Sequence, residues 1–155
     1  MKAEYMSKKI RTLAICIFYH QGRILAAKGY DKLKDEFFYR PYGGGIEFGE
    51  KAEEAVRREV LEETGYGMHD ITLIGVTENI FTFNGKQGHE IVFLFDAKFD
   101  DIGVYDLEVV QGVEDSKGLE LEGHWCCVSQ IISGDVVVYP DGIAEAIQAY
   151  VMKQS

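Results

Sequence analysis

Proline is scarce: Pro41 and Pro140 are the two in a chain of 155 residues. No Pro-, Gly- or Ser-rich tract and no internal repeat stands between them, so no linker divides the chain and both read as turn markers. Cysteine is scarce too. Cys16, Cys126 and Cys127 are odd in number, stand at no metal-ligand spacing and fall in strand-like apolar runs, so buried free thiols are expected. No apolar run approaches the length of a membrane span. Lys2, Glu4, Lys8 and Lys9 precede only the short run from Leu13 to Tyr19, which lacks the long apolar segment of a secretory leader. A cytoplasmic, soluble protein is the expectation. Positive charge is the last deficit, with 16 Lys and Arg against 26 Asp and Glu and a formal net charge of −10. A duplex nucleic acid needs clustered cations along its phosphates and is not an expected partner. The same deficit opposes any small polyanion unless a bound divalent metal reverses the field locally.

What the chain does have is 46% hydrophobic residues, enough for one full core, in a length too short for two ordinary domains. Residues 1–155 therefore read as a single domain with no room for an appended DNA-binding module. The most informative segment runs from Gly44 to Tyr66. A helix is predicted from about Lys51 to Thr64, with Ala52, Ala55, Val56 and Val60 as its inward stripe. Glu53 and Glu54 suit the positive end of its dipole, and Gly65 suits the position just past its end. Glu59, Glu62 and Glu63 stand at i, i+3 and i+4, within an arc of roughly 100°. Like charges so placed repel, and three hard oxygen donors suit Mg²⁺ or Mn²⁺. Glu59 and Glu63 lie at the edge of the buried stripe, where an ordinary solvated acidic face would not.

This segment resembles the signature of the Nudix hydrolases, Gly-x5-Glu-x7-Arg-Glu-U-x-Glu-Glu-x-Gly-U, with U a bulky aliphatic residue. Gly44, Glu50, Arg58, Glu59, Val60, Glu62, Glu63 and Gly65 fill their positions, and Tyr66 departs at the last. The resemblance implies an α/β fold, the Nudix α/β/α sandwich with a mixed central sheet. It also implies metal-dependent hydrolysis of a nucleoside diphosphate linked to another group, by attack of water on phosphorus. A small-molecule nucleotide is then the expected partner, and a homodimer, common in the family, is left open.

The strand pattern agrees with that fold. Thr12 to Tyr19 and Ile24 to Lys28 read as a hairpin turning at Gln21-Gly22. Phe37 to Arg40 is a short third strand ended by Pro41, and Gly43-Gly44-Gly45 reads as a loop able to approach a ligand. Ile71 to Phe83 and Glu90 to Phe99 read as longer strands joined through Asn84 to Gly88. Ile91, Phe93 and Phe95 face one way and Val92 and Leu94 the other, which marks a central strand covered on both sides. A polar stretch from Asp100 to Glu122 comes next, then a last strand at Trp125 to Val128. A helix after Pro140-Asp141 carries Ile143, Ile147 and Val151.

The resemblance assigns Glu59 and Glu63 as principal metal ligands, Glu62 as an additional or alternative one, and the backbone carbonyl of Gly43 as a further one. Arg58, four residues before Glu62, pairs with it and orients it. Glu50 reads as structural, bonding to Arg58, with a water-mediated metal contact as its alternative. The general base is sought before the last strand, at Glu120, with Glu122 behind it; Glu90, or Glu62 or Glu63 itself, are alternatives. Lys28 and Arg40 are expected on phosphate. Tyr39, Tyr42, Phe81, Phe83 and His89 are aromatic or cationic candidates to stack the base or contact phosphate, with a core reading beside each aromatic.

Substrate markers are informative by absence. No proline lies about fifteen residues beyond the motif, Thr82 stands where diadenosine-polyphosphate hydrolases carry tyrosine, and the Ser-Gln-Pro-Trp array of the NADH-directed group is missing. A nucleoside triphosphate, an ADP-ribose-like compound and a nucleotide sugar all stay open. Two other classes compete. A non-catalytic Nudix module binding a nucleotide or a partner would be favoured by loss of a motif glutamate, and none is lost. An isoprenoid diphosphate isomerase needs a catalytic cysteine at a cleft, for which Cys16 is a poor fit.

Overall fold

A computed structural model describes residues 8–83, 85–114 and 118–154. Eight strands and three α-helices are arranged in chain order: β1 Ile10–Cys16, β2 Arg23–Asp31, β3 Glu36–Arg40, β4 Tyr42–Gly45, α1 Ala52–Thr64, β5 Met68–Phe83, β6 Lys86–Phe99, β7 Val109–Glu114, β8 Leu119–Cys127, α2 Val128–Ser133 and α3 Ile143–Gln154. A 3₁₀ turn, Ile102–Asp106, links β6 to β7. The strands form two four-stranded sheets, ordered β4-β1-β6-β5 and β3-β2-β8-β7. The first is mixed, because β1 runs parallel to β6 and antiparallel to β4.

Alternation along β1 and β6 explains the layers. Ala14 and Cys16 of β1 and Phe95, Ala97 and Phe99 of β6 pack in one core with Ala55, Val56 and Val60 of α1. Leu13 and Ile15, with Val92 and Leu94, pack in a second core with Ile131 of α2 and Ile143 and Ile147 of α3. Side chains one residue apart on a strand point to opposite faces, so a strand apolar at every position is covered twice. This is the expected α/β/α arrangement, with helices on either side of sheet. No helix among the described residues is long and apolar enough to cross a membrane.

Four local expectations are corrected. First, β1 and β2 are not one hairpin in one sheet. The backbones meet where His20 and Arg23 exchange bonds of 2.8 and 3.0 Å and Leu25 N–H donates to Ile17 O, and then the strands part into different sheets. Positive φ at Phe18, Gln21 and Gly22 turns the chain there, and β1, buried on both faces, takes β4 and β6 as its neighbours. Second, Gly43-Gly44-Gly45 lie in strand β4, paired with β1. A Cβ on Gly43 would stand 2.1 Å from Ala14 O, so the missing side chain is what permits the pairing.

Third, the stretch from Asp100 to Glu122 contains the 3₁₀ turn, β7 and the start of β8, and the last strand begins at Leu119. Strand β7 lies at a sheet edge and buries one side chain fully, Val110, which leaves little alternation to read. Fourth, the β5–β6 hairpin pairs as far as Phe83 with Lys86, so its turn is shorter than expected; Asn84 lies outside the described residues. Of the cysteines, Cys16 and Cys126 are buried and free, whereas Cys127 is only partly buried.

Candidate active site

Helix α1 begins with the Glu54 carboxylate accepting the Lys51 N–H at 3.0 Å. It ends at Gly65, whose φ of 80° lets its N–H reach back to Leu61 O. Between these ends Ala55, Val56 and Val60 are fully buried, which fixes the rotation of the helix. That rotation carries Glu59, Glu62 and Glu63 to the wall of a cleft of about 450 Å³. Strand β4 forms the adjoining wall. Its Tyr42 is buried and donates to Val110 O at 3.2 Å, tying β4 to β7. A Cβ on Gly44 would stand 2.5 Å from the Glu59 carboxylate, so the close approach of α1 to β4 depends on glycine there.

Arg58 organises the acids. Its Nε and Nη2 donate to the two Glu50 oxygens at 2.8 and 3.0 Å, and Nη2 also donates to Gly45 O at 3.0 Å. Its Nη1 reaches Glu59 at 3.0 Å and Glu62 at 3.3 Å. The bidentate pair holds the Glu50 carboxyl down to about 2, as expected when hydrogen bonding favours the charged form, and the carboxylates around it raise the Arg58 guanidinium. The pairing with Glu50 and Glu62 is the one that the spacing anticipates.

Glu63 is placed differently. Only 9% exposed, it accepts the Gly43 N–H at 3.0 Å. Burial pushes its carboxyl up to about 8; the Gly43 N–H opposes that shift, Glu59 and Glu114 add to it, and Arg40 opposes it. A buried carboxylate beside two others is a site short of positive charge.

Among the described residues, no three His, Cys, Asp or Glu side chains stand ready to hold a metal. Arg58 donates to Glu59 and Glu62, while Glu63 accepts from Gly43. The donor chemistry nonetheless fits a hard divalent cation. Glu59, Glu62, Glu63 and Glu114 line one cleft with the Gly43 backbone, all of them oxygen donors of the kind Mg²⁺ and Mn²⁺ prefer, and a cation would relieve the charge deficit at Glu63.

Across the cleft stand the cations. Arg11, Lys28 and Arg40 line it, with Lys28 Nζ also 4.2 Å from the Phe37 ring centroid. The structure thus gathers Gly43, Glu59, Glu62, Glu63, Lys28 and Arg40 from the expected set. Others lie elsewhere. Tyr39 packs against the second core, with its ring 6.1 Å from that of His124. His89 lies in an open groove with Lys8, Lys9 and Lys86. Phe81 and Phe83 belong to a separate chamber. Glu90 is buried on β6 between Arg40 at 3.5 Å and Arg11 at 3.7 Å.

Glu120 and Glu122 sit within strand β8, where Leu121 is the residue that lines the cleft; alternation turns both acids to the other face. The acid that this part of the chain does bring to the cleft is Glu114, at the end of β7. Sequence reasoning missed it and Arg11. The run Val110-Gln111-Gly112-Val113-Glu114 carries too little alternation to have shown it.

Two sheets between helices, with an acidic helix bordering a glycine strand and facing a row of cations, define the class. Residues 8–144 match the model of the NUDIX domain, and the chain belongs to the Nudix family. An RNA pyrophosphohydrolase from Edwardsiella ictaluri (strain 93-146) is 39% identical over 67 residues, which are 43% of this chain. The match spans 36% of that relative's own length. Among solved structures, a NUDIX hydrolase from Nitrosomonas europaea shares 18% identity with a TM-score of 0.63, covering 94% of this chain and 90% of that one. A MutT NUDIX hydrolase from Burkholderia pseudomallei shares 21% identity with a TM-score of 0.58, covering 79% and 86%. At these identities the two structures speak to the fold.

Proposed function

We propose that the chain is a divalent-metal-dependent pyrophosphohydrolase that cleaves a nucleoside diphosphate linked to another group. The observation that carries this is the cleft itself, with Glu59, Glu62 and Glu63 on one wall and Arg11, Lys28 and Arg40 facing them. Glu59, Glu62, Glu63 and the Gly43 carbonyl would hold Mg²⁺ or Mn²⁺. Bound there, the metal neutralises the diphosphate and makes water a better nucleophile. Arg40, Lys28 and Arg11 bind the phosphate oxygens and hold the chain of phosphates along the cleft. Arg58, anchored by Glu50 and Gly45, sets the orientation of Glu59 and Glu62. Water attacks phosphorus as its proton passes to a carboxylate; the new P–O bond forms, the anhydride P–O bond breaks, and the leaving phosphate takes the electron pair. Glu114 is the base we assign, because it lines the cleft and Glu120 does not.

The test is product formation with Mg²⁺ or Mn²⁺ across a panel: pyrophosphate or phosphate from nucleoside triphosphates and a 5′-triphosphorylated oligonucleotide, and phosphate freed by an added phosphatase from the monophosphate products of ADP-ribose and nucleotide sugars. The oligonucleotide is included because the Edwardsiella relative is named an RNA pyrophosphohydrolase. No turnover of any member by folded, metal-loaded protein would sink the proposal. A second reading, a nucleotide-binding module without turnover, draws on the grip of Arg58 on two of the acids. Nucleotide binding in calorimetry with no product formed would favour it.

A further inference from the structure

Val92 and Leu94 of β6 face the second core, and alternation along the strand puts Glu90 on the same side. Val92 and Leu94 are fully buried, and Glu90 is only 3% exposed. The pattern calls for a third apolar residue at this end of the row, and a buried carboxylate is costly unless it is paired. Its partners come from both sheets. Arg11 is its direct neighbour in the parallel β1–β6 register, with Nη1 3.7 Å from Glu90 Oε2. Arg40 ends β3 in the other sheet, and its Nη2 donates to Glu90 Oε1 at 3.5 Å.

Both arginines line the phosphate cleft and are far more open than the acid between them. Side-chain exposure is 62% for Arg11 and 41% for Arg40, against 4% for Glu90. An arginine on so open a wall carries much rotamer freedom, which it must surrender to grip a phosphate. Here each oxygen of one buried carboxylate takes one guanidinium. A guanidinium has five N–H donors, so the link to Glu90 leaves most of them to the cleft. Arg40 also acts on Glu63, opposing the rise of its carboxyl, so its charge is felt at the acidic wall. Two positive charges stand against one negative, and a net positive charge remains for an anion.

We propose, resting on the reading that the main cleft takes the phosphates, that Glu90 is a positioning residue whose buried carboxylate holds Arg11 of one sheet and Arg40 of the other as a single two-pronged grip on the diphosphate. It touches no substrate atom and acts through the two guanidiniums. The expected effect of removing it is opposite in sign to that of simple electrostatics. Glu90 is a negative charge beside an anion site, and by Coulomb's law its loss alone would tighten anion binding. Loss of a carboxylate that positions the arginines loosens it.

The experiment is calorimetric titration of the full chain with methylenediphosphonate, whose P–C–P link is not hydrolysed, in excess Mg²⁺. Glu90→Gln keeps the shape of the side chain and removes its charge. It is expected to bind the diphosphonate about tenfold more weakly than wild type, with an unchanged circular dichroism spectrum. A protein carrying Arg11→Ala and Arg40→Ala still has Lys28 on the cleft wall and the added metal to hold the probe. In that background Glu90→Gln is expected to change the affinity by less than about twofold, whereas damage to the fold would lower it in both backgrounds. Equal or tighter binding by Glu90→Gln overturns the proposal, and so does an equal loss in both backgrounds. If Glu90→Gln does not fold, Glu90→Asp decides, since its carboxylate is one methylene short of both arginines: weaker binding than wild type supports the role, and wild-type affinity overturns it. A wild type that binds no diphosphonate would refute the phosphate cleft itself, and the positioning role with it. Binding that depends on Glu90, in a protein that hydrolyses nothing, would support the role and refute the hydrolase.

Discussion

At the scale of single residues, the carboxylates of α1 divide by environment. Glu59 and Glu62 share Arg58, while Glu63 is buried against the Gly43 N–H. Glu59→Gln and Glu63→Gln are each expected to lower kcat by about 10²–10³ while the circular dichroism spectrum stays unchanged; wild-type rates in both would remove them from the mechanism. The base assignment makes a sharper contrast. Glu114→Gln is expected to lower kcat by about 10²–10⁴ and Glu120→Gln to leave it near wild type, and the reverse order in steady-state assays would return the role to Glu120.

Glu63 also predicts a stability profile. Its folded pKa of about 8 lies above its ordinary value of 4.5, so the folded state holds this proton more tightly than the unfolded chain does. The stability it contributes is full below about 4.5 and declines as pH rises toward about 8, by at most about 5 kcal/mol from 1.36 kcal/mol per pH unit. Glu63→Gln keeps an oxygen for the Gly43 N–H and removes the charge. In the presence of a chelator, melting temperatures of the two proteins should nearly coincide at pH 5 and diverge at pH 8–9, with the variant higher. A variant that melts lower at pH 9 would show that Glu63 is not the strained group.

At the scale of elements, α1 and β4 form one device. The helix is cut off by Gly65 at φ 80°, and Gly65→Ala should cost about 1 kcal/mol in chemical denaturation, because only glycine enters that conformation without strain. Gly44→Ala should act on function instead. Its Cβ would overlap the Glu59 carboxylate, so the variant should lose metal-dependent activity by more than tenfold while its unfolding midpoint moves less than that of Gly65→Ala; intact activity would mean that Glu59 need not stand against β4. The repeating apolar positions made α1 legible in the sequence, acids and cap included. Strand β4 was not legible, since Gly43 to Gly45 carry no side-chain alternation and their place is decided by pairing with β1 and packing against α1 and β7.

At the scale of the whole molecule, the two cores lie on opposite faces of the strands β1 and β6. Ile147 of α3 is fully buried in the core remote from α1. Ile147→Ala should destabilise the protein by about 2–5 kcal/mol and leave kcat per folded molecule within about twofold, so long as distant sites behave independently. A large loss of kcat at a temperature where the variant is fully folded would show that α3 supports the cleft. The layered fold was legible because β6 is apolar at successive positions, a pattern only a doubly covered strand has. The split of β1 from β2 was not, because a turn signal does not say which sheet each strand joins afterwards.

By itself the sequence determined the features built from residues near one another in the chain: the helix, the face on which Glu59 and Glu63 lie, the link from Arg58 to Glu50 and Glu62, and the glycine that ends the helix. These depend on a period of 3.6 residues and on side chains within reach of one backbone segment. Tertiary structure decided which other residues face that helix. Glu114 enters the cleft and Glu120 leaves it because β7 and β8 pair in one particular register, and Arg11, Lys28 and Arg40 gather there from three different strands. Pairings of that kind are set by packing over the whole fold, and local residue patterns carry no record of them.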